Sequence, residues 1–192
     1  MTSTKRQETR NEIISVTEKL LSSVGRDTVT IRTIADLAKV QAPTIYRIFG
    51  DKVGLLNAVA EEGFARYMTI KPEFDSSLGI IEELRKGWDI HVEFGIEHPE
   101  LYKLMFGDSY AGLTTSAARI AFEGFDEIMD RMDKGGYLSI SKEEAIFRSF
   151  ASASGVVLSI LSLPKALNQH TFVSTVREDL IAKITTEPAG AA

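Results

Sequence analysis

Apolar residues recur every three or four positions along nearly the whole chain, and no stretch sustains the alternation a strand requires. That period confines the chain to an all-α fold. Read along its length, it predicts about nine helices, with short ones gathered at the N-terminal end. A first helix is expected over roughly 5–23, with Ile13, Val16, Leu20 and Val24 on one face. Thr30 is placed to cap a second, whose Ile31, Ile34 and Leu37 would face inward. A third covers about 42–48. Asp51 is placed to cap a fourth, running to about 68, with Leu55, Leu56, Val59, Phe64 and Tyr67 as its stripe.

Polar residues and Pro72 interrupt the pattern at Lys71–Gly79, the best candidate for a boundary. Beyond it a long helix is expected over 78–97, with Leu78, Ile81, Leu84, Trp88, Val92 and Gly95 on one side. A helix opening at Pro99 follows, broken by Gly107–Gly112. The next ends at Gly135–Gly136. Ser141 and Glu144 form a capping box for the one after, which Pro164 stops. A last helix is expected near 171–185, then a disordered tail at 187–192. The predicted organisation is a helix-turn-helix domain at 1–52, a connecting helix at 51–68 and a helical-bundle body at 70–186.

Charge separates the same two regions. The chain of 192 residues carries −5 overall. Residues 1–52 hold nine Lys/Arg against six Asp/Glu, a net +3, which leaves −8 for the remainder. A phosphate-facing end on an acidic body has this asymmetry. Cysteine is absent, which excludes disulfides and thiolate metal sites. The start, MTSTKRQETR, has no apolar stretch behind its charges, so no signal peptide is expected, and no unbroken apolar run is long enough to read as a membrane span. A cytoplasmic protein is the expectation.

The informative segment is Thr30–Leu55, TIRTIADLAKVQAPTIYRIFGDKVGL. Two short helices flank a tight turn. Ile34, Ala35, Ala38, Val40, Ile45 and Phe49 are spaced to let them cross over a small core, and the two alanines permit close approach. The other positions of the second helix are polar or small, as a groove-reading helix requires. Spacing alone fits an ordinary helical hairpin equally well.

The segment resembles the TetR family, whose pattern is a short helix with Ile-Ala, then Ala-Gly-Val-Ser, then Thr-[Leu/Ile]-Tyr-x-x-Phe-x-x-Lys-x-x-Leu. Here stand Ile34-Ala35, Ala38-Lys39-Val40-Gln41, Thr44-Ile45-Tyr46, Phe49, Lys52 and Leu55 at matching spacing. Two positions depart. Lys39 replaces the turn glycine, costing about 1–2 kcal/mol if that residue is left-handed. Gln41 replaces the capping serine, forgoing about 0.5–2 kcal/mol. The resemblance implies a DNA-binding homodimer with double-stranded DNA as its partner. Thr44, Tyr46 and Lys52 become candidate phosphate contacts. Arg32, Ala42, Pro43 and Arg47 become candidates for base edges, the two arginines serving equally well on phosphate, and Gln41 stands beside them. Lys5, Arg6 and Arg10 form either a basic arm or a merely solvated terminus.

For the body, the resemblance implies dimerisation through the last two long helices and a pocket for a small-molecule effector. AIFRSFASASGVVLSIL carries Phe150, Ser154, Val157 and Leu161 on one stripe and is kept thin by Ala151, Ala153 and Gly155. Trp88, His91, Phe94, Tyr102, Met105, Phe106, Phe125, Met129, Phe147 and Phe150 are the candidate pocket residues, with Phe122 in the same aromatic and methionine-rich interior. For each of these residues core packing is the stronger reading and ligand contact the weaker one. An apolar or aromatic effector would suit such a lining.

No catalytic arrangement stands out and no cofactor is expected. His91 and His98 are two helical turns apart, Gly50-Asp51-Lys52 lacks the rest of a phosphate-binding loop, and Glu82-Glu83 and Glu143-Glu144 read as surface or capping charges. Two functions stay open: a ligand-released transcriptional repressor on palindromic DNA, and a structural or division-associated DNA-binding protein without an effector.

Overall fold

The computed structural model describes residues 3–70, 79–107, 116–163 and 169–187. These are helical nearly throughout: α1 Ser3–Val24, α2 Ile31–Leu37, α3 Ala42–Phe49, α4 Lys52–Ile70, α5 Ile80–Glu97, α6 Pro99–Tyr102, α7 Ser116–Lys134, α8 Lys142–Ser162 and α9 Gln169–Ile184. The all-α class with its N-terminal helix-turn-helix is as expected. Residues 71–78 of the expected boundary, the glycine break past Gly107, the stop at Pro164 and the tail at 188–192 lie outside the described residues.

Contacts divide the chain into two compact units that are discontinuous in sequence. One comprises Met1–Ile70 and Glu100–Arg119, the other Lys71–Pro99 and Ile120–Ala192. In the first, α1 packs on α2 and α4, and α3 packs between α2 and α4. Its centre holds Ile13, Ile14, Leu21, Ile34, Ile45, Leu55 and Val59, all essentially excluded from solvent. The buried face of α1 differs from the expected stripe. Ile13, Ile14, Thr17 and Leu21 are inside, Val16 and Leu20 are partly covered, and Val24 is exposed. Thr17 tolerates this position because its hydroxyl donates to the Ile13 carbonyl at 2.7 Å. A polar residue satisfied by its own helix leaves no trace in an apolar period.

A second segment joins this unit. α6 passes directly into a single π-helical turn, Lys103–Gly107, and this turn packs on α4. Leu101 sits against Gly63, where an added Cβ would lie 2.4 Å from Leu101 Cδ1. The Ser116 hydroxyl reaches the Glu61 carboxylate.

In the second unit α8 packs against both α5 and α9. Buried apolar side chains include Leu84, Trp88, Val92 and Phe94 of α5, Met129 and Met132 of α7, Val156 and Val157 of α8, and Ile181 and Ile184 of α9. Ion pairs tie the helices at their edges. Arg85 grips Glu178 through three contacts of 2.9–3.1 Å, and Arg177 pairs with Asp89 and Glu178. These hydrogen bonds hold the Glu178 carboxyl below the usual range. Glu83 is not the surface charge expected. It is buried, and Arg131 of α7 chelates it with two guanidinium nitrogens, which is what makes the burial tolerable.

Caps follow the sequence reading with one change. Ser141 accepts from the Glu144 amide at 3.2 Å, but the Glu144 carboxylate turns to Arg148 at 2.9 Å, so half of the capping box is used for an i,i+4 ion pair. Gly136 at φ +72° closes α7 as expected. Close by, an isolated antiparallel bridge between Leu138 and Thr185 fastens the end of α9 to the α7–α8 connection.

Candidate DNA interface

The first unit is built to present α3. Thr30 is extended and its hydroxyl accepts from the Thr33 amide at 3.1 Å, starting α2. α2 ends after seven residues because the chain turns left-handed at Lys39, φ +54°. The Val40 amide donates back to the Ala35 carbonyl at 3.0 Å, closing the turn. Lys39 is the one described non-glycine residue at positive φ, in the place where the family pattern has glycine. Gln41 then caps α3 in the extended conformation, and its side chain makes no capping bond. Pro43 lies in the first turn, where its missing N–H costs nothing.

Ile34, Ala35, Ala38 and Ile45 are buried where α2 and α3 meet. Ile31 is only partly covered, and Leu37 faces outward at 54% exposure, against expectation. The crossing is too close for large side chains at every helical position, so the alanines carry it. Gly50, φ +82°, ends α3, and Asp51 caps α4 by accepting from the Gly54 amide at 2.7 Å.

Gly54 escaped the sequence reading. A Cβ there would stand 2.1 Å from the Phe49 carbonyl oxygen, so only glycine lets α4 begin this close to the end of α3. Glycine inside an otherwise apolar helix pattern, right after a cap, was the available signal. α1 is clamped to α4 by Arg66–Glu18 and Arg10–Glu62, and the Arg10 guanidinium lies 6.0 Å from the centre of the Phe49 ring. Arg10 is therefore part of the scaffold, and Lys5 and Arg6 ride on α1 itself.

The outward face of this scaffold carries the expected residues. Arg32, Gln41, Pro43, Tyr46 and Arg47 are exposed, while Ala42, Thr44 and Lys52 are partly covered. Lys52 Nζ lies 3.5 Å from the Arg26 carbonyl, a long hydrogen bond that holds the ammonium beside the start of α4. Arg32 and Arg47 form no ion pair among the described residues. Two arginines, a lysine, hydroxyls and an amide on a rigid, apolar-backed helix pair supply the donors that a phosphate backbone and base edges accept.

Residues 13–59 match the family described as bacterial regulatory proteins, tetR family. Over these residues the chain carries the helix-turn-helix of this family. An uncharacterized HTH-type transcriptional regulator of Haemophilus influenzae is 26% identical over 175 residues, covering 90% of this chain and 87% of that relative. Among solved structures, a TetR-family transcriptional regulator from the same organism superposes with a TM-score of 0.67 at 21% identity, covering 95% of this chain and 99% of its own. RolR, crystallised with resorcinol, superposes with a TM-score of 0.66 at 19% identity, covering 96% and 98%. The tetR match ends near the middle of α4, so the C-terminal residues rest on their own geometry.

The residues expected to line an effector pocket fall in both units. Trp88, His91, Phe94, Phe125, Met129, Phe147 and Phe150 belong to one, and Tyr102, Met105 and Phe106 to the other. Trp88, Phe94, Tyr102, Met105 and Met129 are buried; His91, Phe106, Phe122 and Phe125 are partly covered. Phe147 is not interior. It stands 74% exposed on the outer face of α8, where the helix turns it away from α5. Phe150 is on the edge of that face, 38% exposed, with its ring against His91 at 5.9 Å. Enough of the His91 ring is enclosed that burial pushes its pKa down from 6.5 to about 4.

The same face of α8 continues through Leu158 and Leu161, with Ala151 and Gly155 between the large residues. Val157, expected on one stripe with Phe150 and Leu161, is fully buried while those two are partly exposed. By length and composition α8 is also the one described helix apolar enough to cross a membrane.

Proposed function

We propose that the protein is a transcriptional repressor that binds a near-palindromic DNA site as a homodimer and is released by a small apolar or aromatic effector. The observation that carries the DNA-binding part is the outward set Arg32, Gln41, Tyr46 and Arg47, mounted on a helix pair whose inner side is closed by Ile34, Ala35, Ala38 and Ile45. Thr44, Tyr46 and Lys52 serve as phosphate contacts that set register; Ala42, Pro43 and Arg47, with Arg32, reach base edges.

The exposed apolar face of α8, with Phe147, Phe150, Leu158 and Leu161, supports dimerisation between copies of this chain. A two-fold dimer would set its two α3 helices about 34–36 Å apart, one turn of B-DNA. Burial of that face in a partner, rather than in lipid, accords with a cytoplasmic regulator. The aromatic and methionine-rich interior supports an effector, and RolR, on the same fold, holds resorcinol. On this reading effector binding in the body shifts the connecting helix α4, on which α3 packs. A changed spacing between half-sites is enough to release DNA, because both must engage together.

The test is capture of sheared genomic DNA by the purified protein at several salt concentrations, followed by sequencing. A few palindromic sites beside genes, with steep salt dependence, are expected. The Y46A/K52A double variant should stay folded and lose this binding. Many dispersed sites would instead indicate an architectural DNA-binding protein, and no enrichment would remove specific DNA reading from the chain.

A further inference from the structure

Helices α5 and α8, which pack on each other, carry three buried polar atoms that find no hydrogen-bond partner among the described residues: Trp88 Nε1, Ser149 Oγ and Ser152 Oγ. Trp88 is 3% exposed and Ser149 2%. Buried polar groups are ordinarily bonded, and a helical hydroxyl has a ready acceptor in the carbonyl one turn back. Thr9, Thr17 and Thr185 of this chain all use that carbonyl. Ser149 and Ser152 do not, although both sit inside a regular helix.

The three atoms lie close in sequence to one contact between the two helices. The His91–Phe150 ring contact fixes the register of α5 against α8. Trp88 is one turn before His91 on α5, and Ser149 and Ser152 flank Phe150 on α8. Around them Val92, Ala153 and Val156 are buried and apolar. The chemistry on offer is specific. An indole N–H only donates, and a serine hydroxyl donates or accepts. Of the charges on α5 and α8, Arg85 pairs with Glu178, Asp89 with Arg177, Glu83 with Arg131, and Arg148 with Glu144. His91 itself is neutral at pH 7 through burial.

We propose that the α5–α8 interface binds a small uncharged molecule with an apolar body and an oxygen acceptor, held by the Trp88 indole N–H and the Ser149 and Ser152 hydroxyls. The site rests on the effector reading above and gives that effector its chemical class. Apolar area supplies affinity, while the donors select for the oxygen, because a ligand without it leaves them unpaired.

Trp88 is the single tryptophan of the chain, so its emission reports on the site directly. The experiment titrates the full-length protein with two size-matched pairs, phenol against toluene and cyclohexanol against methylcyclohexane, by calorimetry and by Trp88 emission. Each oxygen-bearing probe should bind about tenfold or more tighter than its hydrocarbon partner. In the S149A/S152A variant that preference should shrink toward unity while the melting temperature holds or rises, since two unpaired buried hydroxyls are gone. W88F, which keeps a ring without the donor, gives the same comparison by calorimetry should the serine variant fold poorly.

Equal affinity within each pair, no binding by any probe, or unchanged phenol affinity in both variants would overturn the site. Such a result would show the orphaned atoms to be satisfied by water or simply tolerated. Operator release is measured separately on captured DNA. Phenol binding that leaves the DNA complex intact upholds the site and removes the effector reading. DNA binding by a protein that takes up none of the probes removes the site and upholds the DNA reader.

Discussion

The helix-turn-helix and α8 are both rich in small residues, and they use them in opposite ways. In the first unit Ala35, Ala38 and Gly54 lie at helix contacts and are covered by their own chain, Gly54 against the Phe49 carbonyl. On α8, Ala151 and Gly155 are exposed and stand between exposed Phe147 and Leu158. Small residues permit close approach in either setting. What differs is whether the chain itself supplies the approaching helix. The DNA-reading end is closed and self-sufficient, whereas α8 carries an apolar face that the described residues do not cover.

Charging that face should give the largest effect. The F147E/L158E variant is expected to be monomeric by sedimentation, with DNA affinity lower by about a hundredfold or more, because one half-site must then hold alone. The lone chain should keep its helical fold by circular dichroism, since both side chains are exposed within it, while its melting temperature falls by whatever dimerisation contributed. A variant that stays dimeric and binds DNA normally would break the comparison by showing that the open face is not the partner surface.

Acid tests the interior behind α8. His91 has a pKa of about 4 in the fold against 6.5 in the ordinary state, so the unfolded chain takes up its proton first as pH falls. Stability from this group is intact above pH 6.5, declines as pH drops toward 4 and then levels, for a total of no more than about 3 kcal/mol. Denaturant midpoints of wild type and H91F should converge at low pH if H91F is the less stable at neutral pH, and draw further apart if it is the more stable. Parallel curves would mean that His91 titrates normally.

Closure of the DNA-reading end is tested at Gly54. G54A drives a methyl group into a backbone oxygen that cannot swing aside, and should cost about 1–3 kcal/mol in urea denaturation and weaken DNA binding as α3 is displaced. Gly155 meets nothing within 4 Å, so G155A is the matched control and should be nearly neutral or slightly stabilising in the monomer. The smallest effect is at the turn. K39G should stabilise the protein by about 1 kcal/mol, since glycine accepts the positive φ that lysine holds under strain. An unchanged midpoint would place the compensation in a contact made by the lysine stem.

Much of the DNA-reading end was legible because its determinants are local. Thr30 and Asp51 cap helices within three residues of themselves, and the cost expected at Lys39 depends on its own φ. The outward residues of α3 followed once the inward ones were fixed by period. Misreadings arose where position depends on distant partners. Leu37 is exposed and Thr17 buried because hydropathy records a preference, while a crossing helix or an intrahelical bond decides the outcome. Glu83 looked like a surface acid because its partner, Arg131, is 48 residues away.

The sequence by itself determined an all-helical chain, the helix-turn-helix with its caps and turn, and the residues facing away from it, all consequences of period and of interactions spanning a few residues. Only the tertiary structure decided that Leu101 and the π turn after it pack with the DNA-reading end, that Phe147 faces out while Val157 faces in, and that Trp88, Ser149 and Ser152 are buried without partners. Those outcomes depend on how helices far apart in sequence meet, and a helical period fixes a buried face only to within one residue's turn of about 100°.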